Sequence, residues 1–143
     1  MLQKQISVFV ENKKGRLAEV TKTLGENGID MRALSIADTT DFGVLRIIVD
    51  KPDEAEKVLR DNGFTVSISD VIAMTVGNKP GGLAESLAIL DQMDINIEYL
   101  YAFLGRSADM AIVIVRVENP DDAIGKIKSS PIHLLTKDEL NIL

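Results

Sequence analysis

The strongest constraint on this chain is that it repeats itself. Val8–Leu34 set against Met74–Leu100 without a gap gives ten identical pairs among 27, including Asn12/Asn78, Lys13/Lys79, Gly15/Gly81, Leu17/Leu83 and Glu19/Glu85. After a two-residue insertion in the second copy the match resumes at Val49/Val117, Pro52/Pro120, Asp53/Asp121 and Ala55/Ala123. Two unrelated helix-bearing segments would share apolar spacing, but they would not place Asn-Lys-x-Gly at the same point. The chain is an internal duplication, so any fold proposed for one half must serve the other.

Each copy reads as the same series of elements. Ile6, Val8 and Val10 alternate as a strand with one buried face, as do Ile72, Met74 and Val76. After a turn, Leu17, Val20 and Leu24, with Leu83, Leu87 and Leu90 in the second copy, recur at helical spacing. Gly28 ends the first helix with the residue that a left-handed cap favours. Two strands are expected next, Met31–Asp38 and Gly43–Asp50 joined at Thr39-Thr40-Asp41, and Asn96–Leu104 and Met110–Glu118 joined at Gly105-Arg106-Ser107. Pro52 and Pro120 suit the first turn of a second helix, where a missing N–H is harmless. A last strand, Phe64–Ser69 or Ile132–Leu135, closes each copy, and Thr136-x-x-Glu139 has the form of a capping box for a short terminal helix.

The order strand, helix, strand, strand, helix, strand is the ferredoxin-like, or split βαβ, arrangement. The expected class is therefore α+β, with two ferredoxin-like βαββαβ units packed together, residues 1–69 and 70–143. A unit of about 65 residues buries only roughly 60% of its unfolded surface and is marginal alone. Val44, Arg46 and Ile48 share one face of their strand and Leu45, Ile47 and Val49 the other, while Ile112, Ile114 and Arg116 oppose Val113, Val115 and Val117. Neither face is polar enough for water, so a partner domain or subunit is expected to cover the second face, and a homodimer is the expected state.

What recurs besides core positions is the first strand-to-helix turn, Asn12-Lys13-Lys14-Gly15-Arg16-Leu17 and Asn78-Lys79-Pro80-Gly81-Gly82-Leu83. A helix N-terminus exposes unpaired N–H groups and a partial positive charge, a natural seat for a carboxylate. Glycine there lets a ligand approach the backbone. The plainer alternative is that Asn12 and Asn78 cap the helices while Gly15 and Gly81 permit a tight turn. Asp30 or Asn96, at the start of the following strand, is either a receptor for an ammonium group or an exposed strand end.

Asn-Lys-Pro-Gly-Gly-Leu-Ala-Glu at 78 to 85, followed by Ile95-Asn96-Ile97, resembles the ACT domain, a ferredoxin-like regulatory module that binds amino acids. The first copy, with Asn12 to Glu19 and Gly28-Ile29-Asp30-Met31, matches less closely, since Lys14 stands in place of Pro and Asp30 in place of Asn. The resemblance covers nearly the whole chain and implies a stand-alone tandem ACT regulatory protein. It implies ligands where the turn of one unit meets the second strand of another: Asn12, Gly15, Arg16 and Leu17 facing Asn96 and Ile97, and Asn78, Gly81, Gly82 and Leu83 facing Asp30 and Met31. Turn amides would hold the carboxylate and Asn or Asp would orient the ammonium. Lys14 and Arg16 add positive charge to the first turn, as a carboxylate site or as two solvated cations.

Composition removes other classes. The chain has no Cys and one His, which takes away thiolate metal sites, a Cys nucleophile and any two-His metal pattern. No cofactor or metal is implied. His133 lies in a strand-like run, and Asp53, Glu54, Asp121 and Asp122 follow prolines at helix starts, where they offset the dipole. Tyr99, Tyr101 and Phe103 alternate on one strand face, as in RNA-stacking sheets. A net charge of −6 with no basic fringe speaks against nucleic acid, and the rings are read as an interface. Without a signal-like N-terminus or a long apolar run, no membrane association and a cytoplasmic location are expected. Three readings stay open: an amino-acid sensor that signals to a regulated protein partner, a structural dimerisation module without ligand, and an enzyme with an unrecognised site.

Overall fold

In the computed structural model, residues 1–11, 13–38, 41–103 and 109–142 are described, Asp38 by its backbone only. The elements are β1 (Gln3–Glu11), α1 (Arg16–Glu26), β2 (Met31–Asp38), β3 (Phe42–Val49), α2 (Pro52–Asp61), β4 (Thr65–Gly77), α3 (Gly82–Gln92), β5 (Ile97–Ala102), β6 (Met110–Val117), α4 (Pro120–Ile127) and α5 (Lys137–Ile142). The class is α+β, with antiparallel strands and the βαββαβ pattern repeated. The joining turns expected at Thr39-Thr40 and at Gly105-Arg106-Ser107 lie outside the described residues.

Contacts divide the chain into two units, Lys4–Ser69 and a second made of Met1–Gln3 with Asp70–Leu143. The first three residues join the second unit because Leu2 packs on its core and the Gln3 side-chain amide donates to the Leu135 carbonyl at 3.2 Å. β4 is one 13-residue strand that supplies its first part to one unit and its remainder to the other. The sequence suggested two strands here. No proline or glycine interrupts Thr65–Val76, so the backbone has no reason to break.

In the first unit the strand order is β2-β3-β1-β4. β3 runs antiparallel to β1, with Glu11 opposite Phe42 and Ile6 opposite Ile47, and antiparallel to β2, with Asp38 opposite Gly43 and Met31 opposite Val49. β1 and β2 are therefore parallel, which is what the intervening helix α1 requires. Ile6, Val8 and Val10 from β1, Leu45, Ile47 and Val49 from β3, and Val20, Leu24, Ala55 and Leu59 from the two helices form the core. The helices present these residues at three- and four-residue intervals, and both second helices start at Pro52 and Pro120.

The second unit repeats this with β4, β6 and β5. Ile72, Met74 and Val76 pack with Val113, Val115 and Val117 under Leu90, Ala123 and Ile127. The expected closing strand Ile132–Leu135 is shortened to a single bridge, Leu134 opposite Met74, flanked by the Thr75 N–H donating to His133 O at 3.1 Å and the Leu135 N–H to Ala73 O at 2.8 Å. Pro131 immediately before it supplies no donor to a longer ladder. Tyr99 lies opposite Arg116 and Tyr101 opposite Ile114, so the alternating rings share one face as expected, with Tyr101 and Phe103 buried.

Candidate functional site

The duplicated turn has the same backbone in both units. Gly15 precedes α1 at φ 88° and ψ −10°, and Gly81 precedes α3 at φ 84° and ψ −7°, the left-handed region that a Cβ disfavours. The Arg16 N–H donates to Lys13 O at 3.3 Å and the Gly82 N–H to Lys79 O at 3.0 Å. One turn later the Glu19 N–H reaches Gly15 O at 3.0 Å and the Glu85 N–H reaches Gly81 O at 2.9 Å. Helical geometry leaves the N–H groups of Leu17 and Ala18, and of Leu83 and Ala84, without an intrahelical acceptor.

The alternative in which asparagines cap these helices does not hold for the second turn. Gly81 is the cap residue of α3, as Gly15 is of α1, and a glycine has no side chain to cap with. Asn78 sits three residues upstream, its N–H donating to Asp109 O at 2.9 Å. Asn12, its counterpart, lies outside the described residues.

Side chains separate the two turns. At the first, Lys13 pairs with Glu11 at 2.8 Å, and Arg16 Nη1 pairs with Glu19 at 2.6 Å while the guanidinium lies 4.8 Å from the centre of the buried Phe64 ring. Arg16 Nε is buried and has no hydrogen-bond partner. The hydrogen bond and charge of Lys13, helped by the Arg16 charge, hold the Glu11 carboxyl below the usual carboxylate range. Lys14 and Leu17 are exposed. At the second turn, Gly82 is buried so tightly that a Cβ there would overlap the Gly77 carbonyl oxygen, and Leu83 is exposed. A Cβ at Gly15 or Gly81 would meet nothing within 4 Å.

Asp30 and Asn96 occupy equivalent places as well. The Asp30 N–H donates to the Asp50 carboxylate at 3.0 Å, the Asp50 N–H to Asp30 O at 3.1 Å, and Arg32 lies 3.3 Å from the Asp30 carboxylate. In the second unit the Glu118 N–H donates to Asn96 O at 3.2 Å and the Asn96 amide to Glu118 at 3.4 Å. Met31 and Ile97, the next residues, lean on their own cores. Since β1 and β2 are parallel, the end of one and the start of the other lie at opposite ends of their sheet. Each unit thus gathers Lys14, Gly15, Arg16 and Leu17, or Asn78, Gly81, Gly82 and Leu83, at one end, and holds Asp30 and Met31, or Asn96 and Ile97, at the other.

Sequence reasoning missed the residues beside the first turn: Phe9, Glu11, Phe42, Gly63 and Thr65 line an open groove there with Arg16. Phe9 was the available signal, because a large apolar residue stands in the alternating series of β1 that otherwise carries the polar Gln5, Ser7 and Glu11. Among the described residues there is no group of three or more His, Asp or Glu placed to hold a metal, and no helix is long and apolar enough to cross a membrane.

A family model described as an ACT domain pair matches residues 1–143. Protein BT0572 from Bacteroides thetaiotaomicron has a crystal structure similar to this one over 100% of this chain and 98% of that chain, at 43% identity and a TM-score of 0.92. The ligand-free regulatory subunit of aspartate kinase from Thermus thermophilus is similar over 89% of this chain and 92% of its own, at 19% identity and a TM-score of 0.65. The corresponding subunit from Thermus flavus covers 90% and 92%, at 18% identity and a TM-score of 0.62. At those identities the two subunits share the fold with this chain. No curated protein matches it.

Proposed function

Because the chain belongs to the ACT domain pair family, we propose that it is a stand-alone regulatory protein that binds a free amino acid at its duplicated turns. The observation that carries this is the paired geometry of Gly15 and Gly81: two left-handed glycines whose Cβ directions are open, each placing helix-start N–H groups at the end of a central strand. Such groups hold a carboxylate without any side chain. The ammonium would go to Asp30 or Asn96. These lie at the far end of their own sheets, so the strand start that completes a site belongs to a different ACT unit. The apolar neighbours Leu17, Met31, Leu83 and Ile97 would select the side chain.

The protein acts by binding, with no catalysis of its own, and reports occupancy to a protein partner. A homodimer fits the same picture. β2 is the edge strand of the first unit and exposes Leu34 and Ile36. An acidic surface with no membrane-spanning helix among the described residues is consistent with a cytoplasmic location away from nucleic acid.

A thermal-shift screen against the twenty amino acids tests the proposal. A ligand at a hundred times its dissociation constant adds about 2.7 kcal/mol, a rise of several degrees at roughly 2–4 °C per kcal/mol. Gly81→Ala, whose methyl enters the space reserved for the carboxylate, should still unfold cooperatively but lose part of that rise. No response to any amino acid would leave the structural dimerisation module as the better reading.

A further inference from the structure

We propose that Asn27 is a site of spontaneous covalent modification, converted to aspartate and isoaspartate when the last turn of α1 opens, and that Asn62 is its protected twin. Both asparagines are exposed, and each precedes an exposed glycine in nearly the same setting, Glu26-Asn27-Gly28-Ile29 and Asp61-Asn62-Gly63-Phe64. In the reaction the glycine amide nitrogen gives its proton to hydroxide and bonds to the asparagine Cγ. The Cγ–Nδ2 bond breaks, and the nitrogen leaves as ammonia after taking a proton from water. Water then opens the five-membered imide at either carbonyl, giving aspartate or isoaspartate. Glycine favours the step because it has no side chain to crowd its nitrogen.

The folded backbone holds both junctions shut. At ψ 14° for Asn27 and 15° for Asn62, the glycine nitrogen nearly eclipses the asparagine's own nitrogen instead of the Cβ it must approach to close the ring. The Gly28 N–H donates to Gly25 O and the Gly63 N–H to Arg60 O, each at 3.1 Å. The side-chain amides of Asn27 and Asn62 donate back to Thr23 O and Val58 O, each at 2.8 Å. All four bonds belong to the last turn of a helix, so the reaction requires that turn to open first.

The two turns differ in how firmly they close. α1 has Gly25 inside its last turn and no basic residue there to offset the helix dipole. α2 ends with Arg60, which donates to Val66 O at 2.9 Å and so ties the turn to β4. The fold does not require asparagine and glycine at the end of α1. The second copy places Met93 and Asp94 at the equivalent positions, with Asp94 left-handed and its N–H donating to Asp91 O at 3.0 Å. Conversion removes the Asn27 donor and puts a carboxylate at the negative end of α1. As isoaspartate it also adds a main-chain carbon directly before Gly28 and Ile29, which lead into β2.

The test is peptide mapping by mass spectrometry of the full chain, held folded in neutral buffer beside a sample unfolded in urea, following the mass gained when NH2 becomes OH. Each folded rate is divided by the same residue's rate in urea, where local sequence alone acts. On that scale Asn27 should convert about tenfold faster than Asn62, the combined effect of a helix glycine and a missing dipole partner. Gly25→Ala places a methyl where nothing lies within 4 Å. It should slow Asn27 in the folded chain about fivefold, and change neither Asn62 nor the rates in urea. Equal scaled rates, a faster Asn62, a folded chain in which Asn27 does not convert, or a Gly25→Ala chain that keeps the wild-type rate would each overturn the proposal.

Discussion

The turn after β1 and the turn after β4 have one backbone and two chemistries. Both hold a left-handed glycine, a carbonyl that accepts the N–H three residues ahead, and a helix start, with matching angles within a few degrees. At the second turn Gly82 presses against the Gly77 carbonyl. At the first, the equivalent pair is Arg16 and Glu11, whose side chains stand out beside a groove. The duplication kept the peptide groups that any carboxylate can use and let the side chains around them diverge. Under the proposed function, a ligand common to both turns would be recognised mainly through backbone, and any difference between the turns would come from side chains such as Arg16 and Glu11.

The sharpest way to break that comparison is to add one methyl group. Gly82→Ala puts a Cβ into a backbone oxygen that no rotamer change can avoid. Overpacking of this kind costs about 3 kcal/mol, so the melting temperature should fall by about 6–12 °C. Arg16→Ala, at a position that already has a Cβ, loses a surface ion pair and a ring contact and should cost less than about 1.5 kcal/mol. Equal melting temperatures for the two variants would mean that the turns are alike in packing as well as in backbone.

Local features were legible in the sequence and distant ones were not. Pro52 and Pro120 mark helix starts because a fixed φ and a missing N–H act at the residue itself. The repeat marks the turns, and Thr136 and Glu139 mark a capping box, because each depends on residues a few positions apart. Asn78 misleads as a cap because a further turn, closed by Lys79 O and the Gly82 N–H, intervenes before the helix begins. The groove is invisible in sequence for a different reason. Gly63 and Thr65 come from beyond α2, and Phe42 meets Phe9 only through the β1–β3 register, which pairing fixes rather than local pattern.

A second contrast lies at the ends of the first helices. Gly28 at φ 68° and Asp94 at φ 58° hold equivalent left-handed positions, and Asp94 is the one non-glycine residue with positive φ among those described. Left-handed backbone costs a residue with a Cβ roughly 1–2 kcal/mol, less for Asp than for most. Gly28→Asp should therefore lower the melting temperature by about 2–4 °C and Asp94→Gly raise it by a smaller amount. Shifts of the same sign in thermal unfolding would show that the two helix ends are not strained alike.

The smallest expected effect lies where the two copies end. The first copy runs on within β4, whereas the second ends in α5, held by a reciprocal cap: the Thr136 N–H donates to Glu139 at 3.1 Å and the Glu139 N–H to Thr136 Oγ1 at 3.1 Å. Thr136→Ala should cost about 1 kcal/mol. The N–H of Thr136 first, then the hydrogen bond from His133 at 3.0 Å, holds the Glu139 carboxyl below its ordinary range. A folded-state value below the unfolded one gives stability that is present above the ordinary carboxylate range and is lost as pH falls through the folded value. Glu139→Gln should thus melt below wild type at neutral pH and converge with it as pH falls through the lowered folded-state value of Glu139. A gap that stays constant over that interval would show that the carboxylate's charge contributes nothing to the cap, and that neutral hydrogen bonding alone closes the second copy.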